Sequence, residues 1–191
     1  MTLSDALKTR LSLIERVRDP DNTIAWREFV TLYTPIIFGF LTKRGLSVTD
    51  AEDVTQDVFR SLAQALPSFE LDKSIGSFRN WLFTITRSKM NTHLKKSQKV
   101  DIPIAEIPEE GETKDWDHFY YKEVFLKACE LARLHIDDQS WQVFWRTAVE
   151  DEAPKVVGEE LGLSLDNVYQ KKSRVTARVK EAIRGIDGGQ I

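Results

Sequence analysis

The sequence predicts an all-α protein, with two small helical domains joined by an acidic flexible linker and a helix-turn-helix in the second domain. Three observations predict it. Apolar residues recur at three- and four-residue spacing through most of the chain, and no segment alternates as a strand would. Periodicity lapses between Ser97 and about Asp115, where Pro103, Pro108, Gly111 and the acids Asp101, Glu106, Glu109, Glu110 and Glu112 crowd together. Charge divides at the same place: residues 1–100 carry 15 basic and 11 acidic side chains, residues 101–123 carry 2 and 8, and residues 124–191 carry 10 and 11. The expected organisation is a domain over 1–98, a linker over 99–118 and a domain over 119–191.

The first expected helix runs around Leu7, Leu11, Ile14 and Val17. Next, Trp26, Phe29, Val30, Tyr33, Ile37, Phe40 and Leu41 recur at helical spacing, with Asp21 or Asn22 to start and Gly45 to stop. Pro35 inside this pattern is expected to kink the helix or open its first turn. Thr49-x-x-Glu52 reads as a capping box for a helix with the stripe Ala51, Val54, Val58, Leu62 and Ala65, ending before Pro67. Off that stripe lie Glu52, Asp53, Gln56, Asp57 and Arg60. Macrodipole attraction accounts for acids in the first turn, but Asp57 lies beyond its reach. The face is suited to a protein partner.

A further helix is expected from about Phe78 to Lys96, burying Phe78, Trp81, Leu82 and Ile85 and fading after two turns. Its other side aligns Asn80, Thr84, Arg87, Ser88, Asn91 and Lys95. From Ser74 to Val100 there are six basic residues and no acid. A solvated helix mixes signs to gain i,i+4 pairs, whereas cations alone tolerate self-repulsion for the sake of a polyanion. Amides and hydroxyls on that face can bind phosphate oxygens or base edges.

Helical patterning resumes at Phe119 and continues to Ile186. Trp141, Phe144, Trp145 and Ala148 form a dense stripe expected in the core, with docking of a protein as the other use of so much aromatic area. Pro154 to Arg174 then carries a helix-turn-helix pattern. Gly158 lets two helices approach, Gly162 supplies the turn, Ser164 caps the second helix, and Val157, Leu161 and Val168 hold the pair together. The expected exposed positions are Leu165, Asp166, Asn167, Tyr169, Gln170, Lys171, Ser173 and Arg174. Lys171-Lys172 interrupts the apolar stripe that continues to Val175 and Val179.

Several function classes lack support. Among 191 residues, no apolar run approaches the roughly 20 that a membrane span needs, and the N-terminus lacks a signal-peptide layout. The expected location is the cytoplasm. Cys129, the sole cysteine, reads as a core residue, and His93, His118 and His135 have no ligand spacing. No nucleophile–base arrangement or phosphate loop is visible, so neither an enzyme nor a metal or other cofactor is expected. A formal net charge of −3 argues against an indiscriminate DNA binder.

Three motifs in this order, Asp50-Ala-Glu-Asp-Val-Thr-Gln-Asp-Val-Phe59, Ser77-Phe-Arg-Asn-Trp-Leu-Phe-Thr-Ile-Thr-Arg87 and the helix-turn-helix ending Val168-Tyr-Gln-Lys-Lys-Ser-Arg-Val175, resemble bacterial RNA polymerase sigma factors of the extracytoplasmic-function class. The resemblance covers about residues 20–98 and 120–184. It implies a promoter-specificity subunit that binds core RNA polymerase and aids strand opening. Asp53, Gln56 and Asp57, with Arg60 beside them, would meet the clamp of the largest subunit. The loop Ser68–Ser77 would hold a base flipped from the −10 element, and Asn80, Thr84, Arg87, Ser88, Asn91 and Lys95 would contact −10 DNA. Asn167, Tyr169, Gln170, Lys171, Ser173 and Arg174 would read the −35 element. The tether would thread the polymerase cleft, the helices from Trp141 to Ala148 would meet the flap of the second-largest subunit, and an anti-sigma factor is a further partner the family suggests. Two rivals read the residues otherwise. A free-standing helix-turn-helix regulator acts without polymerase and leaves the Asp53/Gln56/Asp57 face unexplained. A metal-dependent nuclease would use those carboxylates, with no second acidic cluster on an expected neighbour.

Overall fold

The computed structural model describes residues 13–69, 78–96 and 110–187, which form eight α-helices and no strand. By internal contacts the chain divides into two compact units, Ser12–Val124 and Phe125–Gly189.

In the first unit a short helix α1 (Leu13–Arg16) leads into α2 (Thr23–Lys43), and Arg16 holds Glu28 at 2.8 Å. Of the stretch expected around α1, Leu7 and Leu11 lie outside the described residues. Asn22 caps α2, accepting the Ala25 N–H, and Gly45 ends the turn beyond it at φ +89°, a left-handed conformation that costs glycine nothing. The helix runs through Pro35 without a break. Its buried residues are Ala25, Phe29, Leu32, Tyr33, Ile36, Ile37, Phe40 and Leu41. With 21 residues and an 18-residue stretch of mean hydropathy 1.2, α2 is long and apolar enough by composition to cross a membrane, contrary to expectation. Here its apolar faces form the core of this unit.

Helix α3 (Val48–Ala65) buries Ala51, Val54, Val58 and Leu62 as the stripe predicts, and a single 3₁₀ turn, Leu66–Ser68, follows it. The expected capping box at Thr49 and Glu52 gives way to Ser47 and Asp50. The Ser47 hydroxyl accepts the Asp50 N–H at 3.1 Å and donates to the Asp50 carboxylate at 2.7 Å. Ser47 has the extended backbone that a cap requires (ψ 160°), while Thr49 is already inside the helix.

Helix α4 (Phe78–Lys96) has the bounds its pattern predicts, but its buried face differs. Phe78, Leu82, Phe83, Thr86 and Met90 are buried, so the stripe persists beyond two turns, to Met90; Trp81 and Ile85 are only half-buried. The Thr86 hydroxyl bonds the Leu82 carbonyl at 2.9 Å, which lets a polar residue pass as core and hides the stripe from a hydrophobicity count.

Helix α5 (Glu110–Arg133) begins inside the segment expected as linker. Residues 97–109 of that segment lie outside the described residues. Residues 110–118 are helical because Trp116, Tyr120 and Val124, at i, i+4 and i+8, are at most 1% exposed. Trp116 meets Phe40 and Phe83, each with ring centroids 5.4 Å away.

The second unit continues with α6 (Asp138–Phe144), a π-helical segment (Trp145–Val149), α7 (Pro154–Leu161) and α8 (Leu165–Asp187). The expected core stripe of Trp141, Phe144, Trp145 and Ala148 is offset. Ser140, Val143, Phe144 and Thr147 face inward, Ala148 is exposed, and Trp141 and Trp145 stack on each other at 5.8 Å on the flank. Cys129 is buried, and burial pushes its thiol up to about 11.

Candidate nucleic-acid and protein-binding surfaces

The amphipathic stripe of α3 fixes what its outer face presents. Glu52, Asp53, Gln56, Asp57 and Arg60 are all exposed, as the pattern predicts. Arg60 bonds Asp57 one turn away and approaches Gln56 at 3.5 Å. In water such a pair contributes roughly 0–1 kcal/mol and is readily exchanged for a partner's charges. Asp50 is not part of this face: its carboxylate accepts from the hydroxyl of the capping Ser47 and meets His93 of α4 at 3.0 Å.

On α4, Asn80, Thr84, Ser88 and Lys95 are exposed along one side, with Arg87 and Asn91 partly covered beside them. Trp81 stacks on Phe69 with centroids 4.2 Å apart, which anchors the chain leaving the 3₁₀ turn. The loop 70–77, expected to hold a flipped base, lies outside the described residues.

The absence of acid within α4 is made good from α5. Glu112 accepts the Arg87 Nε–H at 2.7 Å, with both side chains about one-seventh exposed (13% and 14%). Asp117 holds Arg79 at 2.8 Å, whose guanidinium also lies 5.3 Å from the centre of the Tyr121 ring. Asp115 meets Arg44 at 3.2 Å. The open part of the α4 face is therefore polar with Lys95, rather than uniformly cationic. Glu112, Asp115 and Asp117 were missed as partners because their arginines are distant in the chain; the spacing of Trp116, Tyr120 and Val124 was the available signal.

The helix-turn-helix of the second unit is built as its residues predict. Val143, Val157 and Val168 form a buried cluster with Leu161 and Leu163 against it. Gly162 ends α7 at φ +66°, and the Gly158 carbonyl accepts the Leu163 N–H at 2.8 Å. Ser164 accepts the Asn167 N–H at 3.3 Å. A Cβ on Gly158 would lie 3.0 Å from the Leu163 carbonyl oxygen and 3.2 Å from Val168 Cγ2. Gly158→Ala is therefore expected to destabilise this unit by about 1–2 kcal/mol through overpacking, measured as a lowered urea midpoint. An unchanged midpoint would mean the helices are not this close.

Leu165, Asp166, Asn167, Tyr169, Gln170, Ser173 and Arg174 are exposed on α8. Lys171 departs from the expected set. Its side chain is 24% exposed and turned back onto α6. The acidic Glu150-Asp-Glu152 turn is partly neutralised: Arg146 holds Glu152 at 2.5 Å and Glu160 at 2.6 Å, and Trp145 donates to Glu150 at 3.0 Å. Asp151 there has φ +56°. Trp141, Gln142, Trp145, Arg146 and Glu150 line an open groove of about 360 Å³.

Two carboxylates of this unit ionise more readily than usual. The Ser140 hydrogen bonds, then the Lys171 charge, lower the Asp137 pKa; Arg146 lowers that of Glu152. Each native carboxylate is more acidic than its unfolded counterpart, so its contribution is complete above the ordinary range near 4 and is lost as pH falls through the native values. Tryptophan fluorescence against temperature should show a falling midpoint below about pH 4. A midpoint that rises on acidification would contradict these assignments.

Among the described residues no three His, Cys, Asp or Glu side chains converge as a metal site. Residues 29–100 match the family model Sigma-70 region 2. The ECF RNA polymerase sigma factor RpoE of Cereibacter sphaeroides is 32% identical over 89 residues, 47% of this chain and 48% of that protein, so the chain spans about half the length of the curated relative it matches. A solved structure of CnrH in complex with the cytosolic domain of CnrY aligns with 88% of this chain and 92% of that one at 21% identity, with a TM-score of 0.38, too low to bear on the fold.

Proposed function

We propose that the chain is a sigma factor of the extracytoplasmic-function class, without catalysis of its own, which binds core RNA polymerase and directs initiation at promoters with specific −10 and −35 elements. The match of residues 29–100 to Sigma-70 region 2 and the 32% identity to RpoE over 89 residues support this reading. The observation that carries this reading is that the matched segment 29–100 contains both the outward acidic face of α3 and the polar face of α4. Asp53, Gln56, Asp57 and Arg60 meet the polymerase clamp. Asn80, Thr84, Ser88, Asn91 and Lys95 line the −10 strand, and Arg87 joins them once it leaves Glu112.

In the second unit Asn167, Tyr169, Gln170, Ser173 and Arg174 read the −35 element from the major groove. The Trp141–Trp145 groove receives the polymerase flap, which explains why two tryptophans stay on the flank of their helix. An anti-sigma partner would have to cover one of these faces. The net charge of −3 suits a protein that meets DNA as part of a larger complex, in the cytoplasm with the polymerase.

Transcription in vitro tests the reading. Core polymerase plus the chain should yield transcripts from a discrete set of genomic fragments, each start preceded by shared −10 and −35 sequences. Transcription no different from core polymerase alone would contradict it.

A further inference from the structure

Building on the proposed role of α8 as the −35 reader, we propose that Lys171 and Lys172 are positioning residues. They set the rotation of α8 about its own axis, and so which side chains reach base edges, without touching DNA themselves.

The two ammonium groups reach opposite ends of one helical rod. Lys171 Nζ donates to the buried Ser140 Oγ at 3.1 Å and lies 3.9 Å from Asp137 Oδ1, at the N-terminus of α6. Lys172 Nζ donates to the Thr147 carbonyl at 2.9 Å, in the π-helical segment that follows α6. Near that end the backbone donors are already engaged: Glu150 N–H bonds the Trp145 carbonyl at 3.0 Å and Glu152 N–H bonds the Arg146 carbonyl at 2.8 Å. A last-turn carbonyl left over at a helix C-terminus is the place where a cation is favoured, by hydrogen bonding and by the macrodipole. Asp137 supplies negative charge at the other end, where it caps α6 through the Ser140 N–H at 2.8 Å.

Ser140 and Thr147 are seven residues apart, about 10 Å along a helix, while successive residues of α8 point about 100° apart. Two adjacent side chains held in two directions oppose rotation either way. Val168, packed with Val143 and Val157, and the buried Val175 and Val179 hold α8 by its apolar face, and the two lysines add directed polar contacts at either end of the rod. With the lysines in place, Asn167, Gln170, Ser173 and Arg174 stay outward. A turn of one residue's width would bring their neighbours to the groove. The interruption of the apolar stripe at Lys171-Lys172 then has a structural cause.

The test uses holoenzyme assembled from core polymerase and the full chain. A preferred upstream duplex is selected from a randomised pool with the wild type. Affinity for that duplex and for a scrambled one is then measured across salt for wild type, Lys171→Met, Lys172→Met, Lys172→Arg and Arg174→Met, with circular dichroism checking each fold. Both Met variants of the lysines should lower the preference for the selected duplex roughly tenfold, comparable to one mismatched base pair. Their salt dependence should match the wild type, and Lys172→Arg, which keeps a donor, should restore the preference. Preference retained with the salt slope reduced by about 0.9 would make the lysine a phosphate contact and overturn the proposal. Preference and slope both unchanged, with only thermal stability lowered, would overturn it too. If the wild type selects no upstream sequence, the proposal falls together with the reading it rests on; normal selection by the wild type confines any failure to the lysines.

Discussion

Asp53→Lys combined with Asp57→Lys is expected to weaken binding to core RNA polymerase by roughly 100-fold or more. The wild-type carboxylates are exposed on α3 and aimed away from its core, so their value lies in what they meet. Reversing two charges puts cations against a clamp that the proposal requires to be basic. Like-charge contacts across an interface cost several kcal/mol, and about 1.4 kcal/mol is tenfold in affinity. Stability should change by only about 0.5 kcal/mol, because neither side chain is buried. Titration of labelled protein with core polymerase, alongside thermal melts, separates the two quantities. Unchanged affinity would remove the clamp assignment from this face and leave its acids unexplained.

The second large effect has opposite signs in two assays. Glu112→Gln takes the carboxylate from Arg87 where both side chains are about one-seventh exposed. Removing one partner of a fully buried pair costs about 3–5 kcal/mol, so the partial exposure here lowers the expected loss of stability to about 2 kcal/mol. The same change removes a negative charge held against Arg87 beside the proposed −10 face, so single-stranded DNA should bind several-fold tighter. Arg87→Ala should also lower stability, yet it should weaken DNA binding. Scanning fluorimetry and fluorescence anisotropy with one labelled oligonucleotide give both readouts. If both variants shift DNA affinity in the same direction, Arg87 does not exchange Glu112 for phosphate.

Legibility in the sequence followed the range of the interactions. Helix α4 has the bounds its pattern predicts, and the turn at Gly162 and Ser164 is as expected, because those signals lie within a few residues of what they determine. The outer face of α3 was readable for the same reason: a stripe of Ala51, Val54, Val58 and Leu62 leaves one side for everything else. Long-range partners were not readable. Glu110, Gly111 and Glu112 beside Pro108 look like a tether, and what makes the segment structural is Arg87 25 residues upstream, together with the cluster of Phe40, Phe83 and Trp116. Lys171 was expected among the exposed positions of the −35 reader because Ser140, its acceptor, lies 31 residues away. The cap at Ser47 was missed for a local reason, since two overlapping Ser/Thr-x-x-acid patterns compete there and only backbone geometry chooses between them.

The most direct measurement is size-exclusion chromatography of the purified chain mixed with bacterial core RNA polymerase in the absence of DNA. Stable co-elution at micromolar concentration is expected, since the α3 face needs no promoter to meet the clamp. A folded chain, free of any inhibitor, that elutes apart from core polymerase would contradict the sigma-factor function and favour a regulator that reaches DNA alone.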